Sequence, residues 1–175
     1  MNPFLLVVDA LNRHHVRYVI VGGFAAVMHG ADRATRDLDI FVDLAPSEAR
    51  KAIQALLSIG LESRVSVDPY GFADPIQRQQ WIEEKKALVF TMIDPENPVF
   101  AVDLFVEPPM NAEELFSRSK LIQIREHTLR VCSIDDLIAM KTRSGRPQDV
   151  LDVDVLREIK SLRNEQTPEK RDAPR

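Results

Sequence analysis

Residues 19–42 read VIVGGFAAVMHGADRATRDLDIFV. A β-branched run, begun by Tyr18 and ending at Val21, meets the glycine pair Gly22-Gly23. Phe24 to Met28 has the composition of a short helix, and Gly30 suits its left-handed stop. Residues 31–36 form a polar, basic loop. Leu38, Ile40 and Val42 then alternate with Asp37, Asp39 and Phe41, the period of a half-buried strand. The predicted order is strand, glycine turn, helix, loop, strand.

Residues two apart on a strand share a face, roughly 6.5–7 Å apart along the chain. Asp37 and Asp39 therefore sit side by side while Leu38 and Ile40 enter the core. Adjacent carboxylates repel unless a cation lies between them. Mg²⁺ suits such a pair, because it takes one or two carboxylates and fills its other positions with water and substrate phosphates. Asp103 is a third carboxylate, inside the apolar run VFAVDLFV. If its strand lies beside the Asp37 strand, three acids converge, enough to hold two divalent ions about 3.5–4 Å apart. Gly22-Gly23 lies where a strand becomes a helix, where glycine admits close approach of a phosphate and the helix start favours negative charge. A glycine turn or an Asp-x-Asp pair is common by itself. Their order within one unit, with the isolated Asp103 downstream, points to a nucleoside triphosphate and its metal.

Outward from this unit, Asn2-Pro3 predicts a helix start, with Phe4, Leu5, Val8 and Leu11 at helical spacing. Arg13-His14-His15 closes that helix, and its adjacent histidines point in different directions, so they read as a solvated end. Pro46 opens a helix to about Ile59, Leu61 to Val67 a strand, and Asp68 to Pro75 a loop; Ile76 to Lys86 reads as a short helix or an irregular excursion, with Trp81 as a packing residue. Ala87–Ile93 and Val99–Val106 predict a hairpin. After the break at Pro108-Pro109, Asn111 caps a helix to about Arg118. Leu121–Arg125 and Thr128–Cys132 form a second hairpin turning at Glu126-His127. Ser133 caps a helix to Gly145, and Pro147 begins the last, apolar at Val150, Val153, Leu156 and Ile159. The expected organisation is one domain over 1–163, with its core in 1–109 and a hairpin and helices in 110–163, followed by a polar disordered tail over 164–175.

Composition sets outer limits. The 175 residues are 45% hydrophobic and carry a formal charge of −4, so the chain as a whole is not a general polyanion binder. The one cysteine, Cys132, excludes an internal disulfide and reads as a small buried apolar side chain. No apolar run approaches the ~18 residues of a membrane span. No secretion signal is evident, which leaves the cytoplasm as the default location.

Gly22-Gly23 followed by Asp37-Leu38-Asp39-Ile40, with Asp103 in VDLFVE, resembles the signature of the DNA polymerase beta-like nucleotidyltransferases. The text VGGFAAVMHG, RATRDLDIFVD and SIDDLIAMKTRSGRPQDVLDVDVL resembles the bacterial branch that includes the abortive-infection toxins of type IV toxin–antitoxin systems. The resemblance implies an α/β (α+β) nucleotidyltransferase fold: a short mixed sheet carrying the three acids, flanked by helices, with a helical C-terminal part. It implies transfer of a nucleoside monophosphate from an NTP to a hydroxyl, with Mg²⁺ (or Mn²⁺). Asp37, Asp39 and Asp103 would bind the metals and Asp103 would help deprotonate the acceptor. Gly22 and Gly23 would hold the β- and γ-phosphates, with His29, Arg33, Thr35 and Arg36 near the triphosphate. Lys141 and Asp149 match the branch's downstream Lys and Asp, so Lys141 is a candidate phosphate contact against a solvated-helix alternative. Arg143 and Arg146 extend a basic rim, and Asp152 reads as structural or solvated. Many relatives carry Ser at the second turn position, where Gly23 offers only backbone. The acceptor stays open between RNA, protein and a small molecule. The alternative function is a toxin–antitoxin component that binds a nucleotide or a cognate partner with little turnover.

Overall fold

The computed structural model describes residues 2–166. The Asn2 side chain accepts a hydrogen bond from the Phe4 N–H (2.9 Å) and Pro3 presets the first helical residue, which starts α1 (Pro3–Arg13). There follow β1 (Tyr18–Ile20), α2 (Gly22–Met28), β2 (Asp37–Val42), α3 (Pro46–Leu57) and β3 (Glu62–Ser63). A 3-10 turn (Pro69–Ala73) leads to α4 (Pro75–Lys85) and the hairpin β4 (Val89–Asp94) and β5 (Asn97–Phe105). The chain closes with α5 (Ala112–Arg118), the hairpin β6 (Lys120–Ile124) and β7 (His127–Val131), then α6 (Ile134–Ser144) and α7 (Pro147–Gln166).

All seven strands form one mixed sheet in the order β3-β4-β5-β2-β1-β7-β6. The β2–β5 and β1–β7 pairs are parallel and the other pairs antiparallel. The period of two decides the faces. Leu38, Ile40, Val42, Val102, Leu104 and Met92 are fully buried on one face. Asp37, Asp39, Asp103 and Thr91 alternate with them and take the other. Moving β2 by one residue would drive the acids into the core, so burial fixes its register.

Most predicted elements appear where the sequence places them, with local differences. The strand expected over 61–67 shrinks to Glu62–Ser63, and the loop expected over 68–75 contains the 3-10 turn. Asp68 organises that turn by accepting from the Tyr70 N–H (3.0 Å). The second hairpin turns earlier than expected, because Arg125 takes the left-handed conformation (φ 52°). Trp81 is a packing residue, stacked on Phe90 with ring centroids 5.1 Å apart. Cys132 is buried, and burial pushes its thiol up to about 12. The last helix continues through residues 164–166, where a tail was expected. The rest of that tail, 167–175, lies outside the described residues. Among the described residues no helix is long and apolar enough to cross a membrane.

Candidate active site

The glycine turn is built against Asp39. The Val21 N–H donates to the Asp39 carbonyl (2.9 Å), which carries the chain from β1 onto the edge of β2. Gly22 then adopts φ +65°, and a Cβ placed there would fall 2.0 Å from Asp39 Oδ2. Both the backbone conformation and the close approach require glycine. The Gly23 N–H donates to the same carboxylate oxygen at 3.4 Å.

The three acids meet on one face. Asp39 and Asp103 are direct partners across the parallel β2–β5 ladder, with Asp37 one step away opposite Ala101. The Thr91 hydroxyl, from the next strand, donates to Asp103 Oδ1 (2.6 Å). Burial, then the Asp103 charge, raise the Asp39 carboxyl to about 6, against the Gly23 N–H, which lowers it. Burial also raises Asp103, opposed by the Thr91 hydrogen bond and reinforced by the Asp37 charge. These acids line a cavity of about 920 Å³ together with Gly22, Gly23, Arg33, Thr35 and Lys141.

Gly23 has no side chain, but its place is not bare. A Cβ at Gly23 would lie 2.8 Å from Thr35 Oγ1 and 3.2 Å from a guanidinium nitrogen of Arg33. The basic loop thus delivers a hydroxyl and a cation to the glycine turn. Two of the predicted site residues lie off the cavity wall. His29 does not line the cavity. It is buried, its Nε2–H donates to the Cys132 carbonyl (2.8 Å), and burial lowers its pKa, so it is a neutral packing residue. Arg36 is exposed and also lies off the cavity wall.

Lys141 lines the cavity yet is not a solvated helix residue. It is buried, with its ammonium on Asp149 (3.0 Å) and Asp152 (2.6 Å). Asp152, read from the sequence as structural or solvated, is buried and also pairs with Arg33. Burial pushes Asp152 up, but hydrogen bonds from Lys141 and Gln148 with the Lys141 and Arg33 charges outweigh it and leave it lowered. Phe105, Glu107, Pro109 and Met110 form a further wall of the cavity that sequence reasoning missed. The signal was there: Phe105 and Glu107 continue the alternation from Asp103, past the end of β5.

Among the described residues, no group of three His, Cys, Asp or Glu side chains stands ready to enclose a metal ion. The residues nonetheless fit Mg²⁺ or Mn²⁺. The donors are hard carboxylate oxygens, a cation would offset both the burial and the Asp103 charge that raise Asp39, and Mg²⁺ needs only one or two carboxylates besides water and phosphate.

The fold recurs in solved structures. The lincomycin-bound lincosamide antibiotic adenylyltransferase LnuA shares 17% identity at a TM-score of 0.59, over 91% of this chain and 98% of that one. ANT(2")-Ia in complex with adenylyl-2"-tobramycin shares 12% at 0.55, over 93% and 94%. An antigenic nucleotidyltransferase-like protein from Paracoccidioides brasiliensis shares 16% at 0.54, over 87% and 72%. A search of curated proteins returned no match. The family model described as nucleotidyl transferase AbiEii toxin, type IV TA system, matches residues 5–173. That match takes in the glycine turn, all three acids and both C-terminal helices, and the chain belongs to this nucleotidyltransferase family.

Proposed function

We propose that the protein transfers a nucleoside monophosphate from a nucleoside triphosphate to an acceptor hydroxyl, using Mg²⁺ or Mn²⁺ and releasing pyrophosphate. The pairing of Asp39 with Asp103 beside the Gly22-Gly23 turn carries this reading. Asp37, Asp39 and Asp103 are the residues to hold divalent ions, which when bound neutralise triphosphate charge. Gly23, Thr35 and Arg33 surround one point of the cavity with donors and bind the β- and γ-phosphates, orienting the α-phosphorus. Burial gives Asp103 a raised proton affinity, and it accepts the proton of the attacking hydroxyl. The new P–O bond forms at the α-phosphorus as its bond to the β-phosphate oxygen breaks, and pyrophosphate leaves.

The acceptor approaches along the wall of Phe105, Glu107, Pro109 and Met110, next to the base. Small-molecule, RNA and protein hydroxyls are the classes to test, the first because two fold neighbours are antibiotic adenylyltransferases. The cytoplasm supplies both NTP and Mg²⁺. The test is incubation with α-labelled NTPs, Mg²⁺ or Mn²⁺ and fractionated cell extract. Wild type should label one fraction, and Asp37→Ala, Asp39→Ala and Asp103→Ala should each label none. Equal labelling by wild type and Asp39→Ala contradicts the proposal. Family membership also supports a second reading, a toxin–antitoxin component that binds nucleotide or a cognate partner with little turnover. Nucleotide binding without labelling would favour it.

A further inference from the structure

Among the described residues, Asp152 is the carboxylate that joins the C-terminal helix to both Arg33 and Lys141, two of the cations of the cavity wall. It lies on α7 with a side chain 5% exposed. One oxygen accepts from Lys141 Nζ (2.6 Å) and from Arg33, and the other from Gln148 Nε2 (3.1 Å). Lys141 comes from α6 and Arg33 from the loop before β2, 119 positions away from Asp152 in the chain. The Arg33 guanidinium is the group that stands beside Gly23. Asp149 adds a second hold on Lys141 (3.0 Å) and takes Arg146 at 3.0 Å.

A buried carboxylate persists only where its partners replace the lost water, and removing it leaves its cations uncompensated. Long Arg and Lys side chains sample many rotamers, and ordering them costs entropy that a bound phosphate would otherwise have to offset. A carboxylate that orders both before a phosphate arrives removes that cost from the binding step.

We propose that Asp152 is a positioning residue for the triphosphate: it acts through Arg33 and Lys141, holding both cations at the cavity wall. This rests on the nucleotide reading above. A staple that only fastened α7 would change stability without caring how many phosphates the ligand carries. A positioning role changes the preference for triphosphate over nucleoside.

The test takes the ribonucleoside triphosphate, among ATP, GTP, CTP and UTP, that the full chain binds most tightly with Mg²⁺. Its dissociation constant and that of its nucleoside are measured by calorimetry for wild type, Asp152→Asn, Asp152→Glu, Arg33→Gln and the double variant Arg33→Gln/Asp152→Asn. Asp152→Asn is expected to weaken the triphosphate about tenfold and the nucleoside less than twofold. Asp152→Glu keeps the charge balance and so the fold, but its extra methylene displaces both cations and weakens the triphosphate about threefold. The double variant should be weaker than Arg33→Gln alone by much less than tenfold, because both changes act on one arrangement. Folded Asp152 variants that bind triphosphate as wild type does, or that lose nucleoside and triphosphate equally, overturn the inference. A wild type that binds none of the four triphosphates removes the nucleotide reading itself, a different failure.

Discussion

Asp39 and Asp103 face each other across a parallel strand pair, with a glycine turn pressed against one and a threonine hydroxyl bonded to the other. Burial raises each carboxylate, a like charge adds to the rise, and one donor moderates it. The pair is strained in the free protein in a way a divalent ion relieves, and the following expectations derive from that arrangement.

The contribution of Asp39 to the stability of the free protein should fall as pH rises through its titration. Its carboxyl moves from 3.8 to about 6 on folding, so the folded chain holds the proton more tightly than the unfolded chain. The sign follows: stability is lost as pH climbs from about 4 to 6. Asp39→Asn should therefore exceed wild type by up to about 3 kcal/mol above pH 7 in EDTA, and by little at pH 4. Urea denaturation at pH 4 and pH 8 checks it. An equal difference at the two pH values would contradict the assignment.

Gly22→Ala should damage fold and site together. The left-handed conformation alone costs a side chain about 1–3 kcal/mol. The added Cβ also meets Asp39 Oδ2, so the carboxylate must move. Catalysis should drop at least about 100-fold, the scale of a 1 Å misplacement. Near wild-type turnover would show that the turn does not set the position of Asp39.

Thr91→Val removes a hydrogen bond that lowers the Asp103 pKa. The acid limb of the kcat/KM profile should move to higher pH while the plateau stays within a few-fold. An unmoved limb would take Asp103 out of the role of base.

His29→Ala separates packing from ligand contact. The imidazole bridges α2 to the Cys132 carbonyl, and its loss leaves a buried acceptor unpaired, at about 1–3 kcal/mol. Triphosphate affinity should be unchanged in the folded variant. A large affinity loss without a stability loss would return His29 to the site.

The acids and the turn were legible in the sequence because each is a local pattern: Asp-x-Asp at the strand period, and a glycine pair between strand and helix. Asp103 was legible because a lone charge in VFAVDLFV has no reason to be there in a plain core strand. The fold class followed from the same strands, and the caps at Asn2, Asn111 and Ser133 are where their side chains predict. The packing of His29 is not legible locally, because nearness to the motif in sequence does not decide which side of a short helix faces the cavity; its partner is 103 positions away. Asp152 was undervalued for the same reason. Its spacing from Asp149 puts both on one face of α7, but the two cations that make it informative come from α6 and from the loop before β2. Local periodicity reveals a face, and only the tertiary fold reveals what that face meets.

Parallel reactions with α-labelled and γ-labelled NTP distinguish transfer of the nucleoside monophosphate from transfer of the γ-phosphoryl group. With Mg²⁺ and extract, the α label should appear on an acceptor and the γ label in pyrophosphate, both lost in Asp39→Ala. The γ label on an acceptor, or both labels remaining in intact NTP, would contradict nucleotidyl transfer by this protein.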